Sequence, residues 1–357
     1  MMREVPPIYP WSAFDSARWI EAPPVPLVPR RPTRFGLHAA TEEMKLRLMS
    51  EFDRVTFERI GVLRGEFLAL TNGLLLCDRA GAVISINLPF EASATARIPY
   101  EYANGSDMWD FMEGARRDWE LFPLVENAAV VSHIYHNNYY HFSFEFLQKF
   151  RLFNGFGGAE SVLIPPQILE GLVYRELIAA ALGPRMAIPM DRPYRVKDPV
   201  ICQTYQSDEG LKWLRALVGR TAAPGGRKLY ITRAPKAGRS NNNLAETPQF
   251  QLLLAKHRFE RVDFGMGDLA LAEQIARLDG AAVILASHGA GLTNLAYLNA
   301  PVRVIEVFGR KVISSSFIRI SEALGLEHHA IISEQSDAAG DIVVDSGLLD
   351  QLISAPL

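Results

Sequence analysis

The chain has 357 residues, 48% hydrophobic and 22% charged, with a formal net charge of −3. That length suggests two domains of about 100–200 residues each, and the composition is that of an ordinary globular protein with a core to bury. The slight acidity excludes a general nucleic-acid binder, since no surplus of cations is available to replace phosphate counterions, although it leaves room for a local basic pocket.

Residues 1–35 carry Pro6, Pro7, Pro10, Pro23, Pro24, Pro26, Pro29 and Pro32. Proline at this density predicts an extended arm rather than regular helix. The aromatics Tyr9, Trp11, Phe14 and Trp19 suggest that the arm packs on something. A helix is expected at 41–57, followed by a β-meander of short strands at 60–63, 66–70, 74–78 and 83–87 between Gly and Asn-Gly turns. A buried strand follows at 128–134, then a helix at 139–153, a strand at 161–164, a helix at 169–182 and a strand at 186–189.

From about residue 200 the alternation becomes regular. Helices are expected at 208–218, 247–257, 269–278 and 293–298, and strands at 227–232, 259–264, 281–285 and 302–308. Strand and helix in turn over this length predict a parallel, doubly wound sheet, whose ligands sit beyond the carboxyl ends of the strands. The expected division is a proline-rich arm (1–35), a first domain with a β-rich beginning (36–200), a second domain (201–330) and a C-terminal segment (331–357).

Four strand ends in the second half carry groups suited to a nucleotide diphosphate. Arg233 emerges after 227–232 with Lys236 and Arg239 behind it, and arginine offers a planar fork for phosphate oxygens. Phe264 and Gly265 open a glycine-containing loop whose exposed backbone could read a base edge. The stretch His288-Gly289-Ala290-Gly291-Leu292-Thr293-Asn294 follows an apolar strand and precedes an expected helix, an arrangement whose free amides favour anions. Glu306, alone in an apolar strand, is placed to meet ribose hydroxyls. Each has a plainer alternative: a solvated basic loop, a helix cap at Asp268, an ordinary turn, a structural ion pair. Their coincidence favours a diphosphate pocket.

The first half has a different cluster, 133–145, with His133, His136, His141 and Glu145. His141 and Glu145 stand four apart and share a helix face, so the carboxylate can orient the imidazole as a general base needs. A satisfied core histidine is the plainer alternative. No metal site is expected, because no further carboxylate or cysteine pattern completes one. No other cofactor is expected either. Cys77 and Cys202 fit neither zinc nor disulfide spacing and suggest a reducing compartment. With no secretory h-region and no apolar run near the roughly 18 residues of a bilayer span, a cytoplasmic protein is expected. A peripheral membrane contact and a homo-oligomer remain compatible.

Taken together, Asn138-Tyr139-Tyr140-His141-Phe142 with Phe144-Glu145, then Leu229-Tyr230-Ile231-Thr232-Arg233, then Ser287 to Asn294, then Val304-Ile305-Glu306-Val307-Phe308, resemble the family 61 glycosyltransferases. That family's pattern reads approximately N-Y-[FY]-H-W, I-S-R, G-x-H-G-A-G-L-[ST]-N and V-[IV]-E-[IL]. Thr232, Phe142 and Ser287 depart from it without removing a charged group. The resemblance implies an α/β, GT-B-like architecture of two Rossmann-like domains facing a cleft. It also implies metal-independent, inverting transfer from a nucleotide-sugar, with UDP the first candidate carrier, to a glycan or glycoconjugate. By the same resemblance Arg233 and residues 288–291 would hold the diphosphate, Glu306 the ribose, and His141 would lie at the reaction centre. His136 and His133 stay open as alternative bases. Acceptor choice is expected before residue 130, where the resemblance does not reach. A pyruvyl- or phospho-sugar transferase and a non-catalytic nucleotide-binding module remain alternatives. A dinucleotide oxidoreductase is disfavoured by the absence of G-x-G-x-x-G spacing with a following acid.

Overall fold

The computed structural model describes residues 8–10, 19–28, 31–39, 41–53, 55–70, 75–80, 83–85, 108–133, 135–156, 159–233 and 243–357. The chain divides into two units, one comprising 1–27 and 57–205, the other 28–56 and 206–357.

The first unit contains two sheets. In one, the strands Met186–Pro189, Ser161–Ile164, Ala128–Val130 and Val200–Gln203 lie side by side and parallel. Thr56–Leu63 then pairs antiparallel to Val200–Gln203, and Trp19–Glu21 antiparallel to Thr56–Leu63. Ala128–Val130 comes first in the chain among the parallel four, yet it sits between the second and the fourth. The strand order therefore reverses at its flank, which in open α/β sheets is where ligands bind. The other sheet runs Ile8–Pro10, Val83–Ser85, Leu75–Asp78, Glu66–Ala69, Tyr194–Lys197, Leu124–Glu126. Phe67, Leu76 and Val196 from this sheet meet Leu63, Val130, Leu163 and Ile201 from the first in one apolar cluster, so the sheets share a core. Three of the four strands expected as a meander do form an antiparallel run, whereas Thr56–Leu63 joins the other sheet.

The second unit is built on a six-stranded, all-parallel sheet ordered Phe259–Val262, Arg227–Ile231, Ala281–Ser287, Arg303–Gly309, Glu327–Ser333, Phe35–Ala39. Every residue of Ala281–Ser287 is buried, as a central parallel strand covered on both faces requires. Side chains alternate between the faces. Val283, Leu285, Ile305, Val307 and Ile331 pack with the helices Pro248–Lys256 and Ser346–Ser354. Phe308, Ala330 and Ile332 pack on the other face with Met44 and Leu48 of the helix Glu42–Ser50 and with Ile318. Here the order reverses between Arg227–Ile231 and Ala281–Ser287.

Two segments lie elsewhere than the sequence suggests. Phe35–Ala39 pairs in register with Glu327–Ser333, so residues 28–56 belong with the second unit. The C-terminal segment is not an appendage: Ile342, Val344, Leu349 and Ile353 complete the second unit's core. The described parts of the proline-rich arm are extended and enter sheets as edge pieces. Trp11 and Phe14 lie outside the described residues.

Candidate functional site

In the first unit, Ala128–Val130 ends in a turn bearing Ser132, His133 and His136. Asn138 caps the next helix, its side chain accepting from the Tyr140 amide at 3.0 Å. That helix opens as Tyr139–His141, widens into a π turn at Phe142–Phe146, and resumes as Gln148–Phe156. π turns recur at functional sites because they re-aim side chains within a helix.

Glu145 lies in this π turn, and its Oε2 accepts from His141 Nδ1 at 2.6 Å and from His133 Nε2 at 2.8 Å. Burial opposes ionisation of Glu145, but the two hydrogen bonds prevail and hold its carboxyl at about 2. The tautomers follow. Nδ1 of His133 accepts from the Tyr135 amide at 3.1 Å, so its proton sits on Nε2 and points to the carboxylate. Nδ1 of His141 carries the proton shared with Glu145, and its Nε2 is left as an acceptor. The two rings stack with centroids 5.2 Å apart. Burial lowers the proton affinity of both His133 and His136. His136 Nδ1 donates to the carbonyl of His133 at 2.7 Å, beside but outside the Glu145 cluster.

One residue with no motif to announce it completes this region. Lys149, fully buried, donates from Nζ to the Ser132 carbonyl at 2.5 Å, and burial pulls its ammonium down to about 8.

By distance alone His133, His141 and Glu145 could hold an ion, their ligand atoms lying within 4.8 Å of one another. The hydrogen bonds argue against it. A metal-bound Nε2 goes with a protonated Nδ1 that donates outward, whereas Nδ1 of His133 receives a backbone N–H. Cys77 and Cys202 are buried, and burial pushes their thiols up to about 11 and about 12, away from the reactive thiolate form.

In the second unit Arg233, Phe264 and the turn at 288–291 come together where the strand order reverses. Arg233 follows Arg227–Ile231, and its Nη1 donates to the carbonyl of His288, just past the neighbouring strand, at 3.1 Å. Gly289 has an extended φ of 172°, open to any residue. What crowds the position is Arg233: a Cβ on residue 289 would lie 3.1 Å from the guanidinium carbon. A Cβ on Gly291 would lie 3.2 Å from Ile231 and 3.7 Å from Phe264, so two further strand ends meet there. Phe264 is buried, and Gly265 adopts φ +59°, a left-handed conformation that favours glycine.

Residues 288–291 are half-buried and form the rim, whereas Thr293 and Asn294 are fully buried beneath it. The expected α-helix at 293–298 is a 3₁₀ run, Ala290–Tyr297. Asn294 donates back to the Gly291 carbonyl at 3.2 Å, a local bond of the kind that competes with the α-helical ladder. Lys236 and Arg239 lie outside the described residues.

Glu306 is 0% exposed and both its oxygens are engaged. Oε1 accepts from His288 Nδ1 at 2.6 Å and Oε2 from His328 Nε2 at 3.1 Å. His328 in turn pairs through Nδ1 with Ser321 Oγ at 2.8 Å. This burial does not fit the ribose role expected of Glu306; its carboxylate addresses an imidazole instead. His288 stacks on Phe308 (4.9 Å) and Phe317 (5.2 Å), which hold its ring in place. Neither His328 nor Ser321 carries a sequence signal beyond the paired histidines of the strand Glu327–Ser333.

No helix among the described residues is long and apolar enough to cross a membrane. No curated protein matches the chain. The family model Glycosyltransferase 61 matches residues 139–305. That span contains His141, Glu145, Arg233, the loop at Phe264 and the turn at His288, and it ends one residue before Glu306. Glycosyltransferases of that family in general use a nucleotide-sugar donor and a glycan acceptor. Over residues 139–305 the chain is similar to the family 61 glycosyltransferases, and this match supports a glycosyltransferase.

Proposed function

We propose that the chain is an inverting, GT-B-type glycosyltransferase in which His141 is the base. On this assignment the second unit holds the diphosphate of a nucleotide-sugar, UDP being the first carrier to test. The first unit binds the acceptor hydroxyl of a glycan or glycoconjugate. The observation that carries it is the His141–Glu145 pair at 2.6 Å, which commits Nδ1 and leaves Nε2 to accept a proton beyond the sheet's reversal point.

In the reaction, the acceptor oxygen attacks C1 of the sugar as its proton passes to His141 Nε2. The C1–oxygen bond to the diphosphate breaks with inversion, and the electron pair leaves with the diphosphate. Glu145 stabilises the imidazolium as it forms, as the carboxylate partner of a base histidine does. This favours His141 over His136, whose Nδ1 has only a carbonyl to lean on. Arg233 and the amides of residues 289–291 supply fixed positive dipoles for the departing charge.

The test is His141→Ala beside His136→Ala, with transfer and UDP binding measured separately. His141→Ala should lower kcat by at least about 100-fold while leaving UDP affinity within about twofold, and His136→Ala should cost far less. Near wild-type turnover in His141→Ala would sink the assignment.

A further inference from the structure

We propose that binding of a nucleoside diphosphate to the second unit takes up one proton from solvent, held on His288 Nε2 and supported from behind by Glu306. The inference rests on the donor assignment above and goes beyond it, because it makes donor affinity depend on pH and turns Glu306 from a ribose ligand into a positioning residue.

Ser321, His328, Glu306 and His288 form one hydrogen-bonded row, and Glu306 is its only carboxylate. With both imidazoles neutral the row carries one negative charge at 0% exposure, a costly arrangement without a counter-charge. A proton on an imidazole cancels it. His328 is a poor place for that proton to arrive, since it is buried and both its nitrogens are committed, to Ser321 and to Glu306. His288 is the opposite case. Its side chain is 17% exposed, Nδ1 is held by Glu306, and Nε2 makes no hydrogen bond among the described residues. The rings of Phe308 and Phe317 against it prevent it from turning away.

Among the described residues, Glu306 on Arg303–Gly309 bonds this ring, His328 on Glu327–Ser333 lies behind Glu306, and Arg233 after Arg227–Ile231 bonds the carbonyl of the same residue. Phe317, on the helix Ser316–Leu324, is the uncharged neighbour. Arg233 bonds to the carbonyl of His288 itself, and its positive charge opposes a second cation beside it. A diphosphate at the rim removes that opposition and gains a charge-assisted N–H donor. The balance is simple: neutral His288, a proton and the anion give the imidazolium–diphosphate pair, and release of the diphosphate returns the proton to solvent.

The test is calorimetric titration of the full chain with UDP, GDP and CDP near pH 8, in buffers of differing ionisation enthalpy. The expected result is uptake approaching one proton per nucleotide, with affinity falling by up to about tenfold per pH unit on the alkaline side. His288→Gln, a change at the rim, should abolish the uptake and weaken binding roughly tenfold. Glu306→Gln should reduce the uptake. A nitrogen NMR spectrum should show Nε2 of His288 gaining a proton as UDP is added, which keeps the test valid should Glu306→Gln fold poorly. Binding without proton uptake, or uptake that persists in His288→Gln, overturns this inference and leaves the donor assignment standing. Failure of all three nucleotides to bind overturns both.

Discussion

Arg233 lies over Gly289 and donates from Nη1 to the carbonyl of His288 at 3.1 Å, so the residue leaving one strand clasps the turn leaving its neighbour. The clasp spans the place where the strand order of the second unit reverses, and the rim at 288–291 takes its shape from it.

Gly289→Ala tests the clasp. The new methyl would meet the guanidinium at 3.1–3.2 Å, and a flexible side chain can yield where a backbone cannot. The expected outcome is a displaced Arg233, with UDP affinity lowered about tenfold. The unfolding free energy should fall by less than ~1 kcal/mol, at or below the lower end of what overpacking costs. Calorimetry for binding and urea unfolding for stability check the two halves. A loss of stability with binding unchanged would count against the role given to Arg233.

Lys149 supplies a pH dependence with a definite sign. Burial lowers its ammonium to about 8 from an ordinary 10.5, so between these values the unfolded chain binds more protons than the folded one. The contribution of this group to stability is therefore flat below about pH 8 and rises as pH climbs toward 10.5. Lys149→Met should remove that rise. Unfolding free energies of the two proteins, measured at intervals from pH 7 to 10.5, should show wild type gaining on the variant across the upper part of the range.

Leu48→Ala probes the assignment of residues 28–56. Leu48 is fully buried in a cluster with Phe308, Ile318, Ala330 and Ile332. Its truncation should cost about 2–5 kcal/mol, the usual range for a core leucine. The cost should appear in the second unit: hydrogen exchange should quicken along Glu327–Ser333 while Ser161–Ile164 in the first unit keeps its protection.

Most of the second unit's sheet was legible, because parallel strands buried on both faces read as apolar runs and their turns carry glycine. Phe35–Ala39 and its partner Glu327–Ser333 were not, since the two lie some 290 residues apart and nothing local marks the pairing. Likewise the His141–Glu145 contact could be read from a spacing of four, although a π turn rather than a regular helix delivers it. Glu306 shows the limit. It looked like an open carboxylate because register is invisible in sequence. Ala286 and Ala330 flank it on the neighbouring strands, and two residues from each, on the same face, stand His288 and His328. The chemistry of the residue was clear, but its neighbours were not.

The pairing of Phe35–Ala39 with Glu327–Ser333 also bears on the birth of the protein. A ribosome makes this edge strand of the second unit before residues 57–205 of the first unit, and only later the strand that the edge must join. The waiting segment carries Phe35, Leu37, Met44 and Leu48, apolar side chains whose partners do not yet exist. Closing so long a loop comes late in folding, after local contacts have formed. Until then this early stretch exposes apolar surface of the kind that chaperones cover.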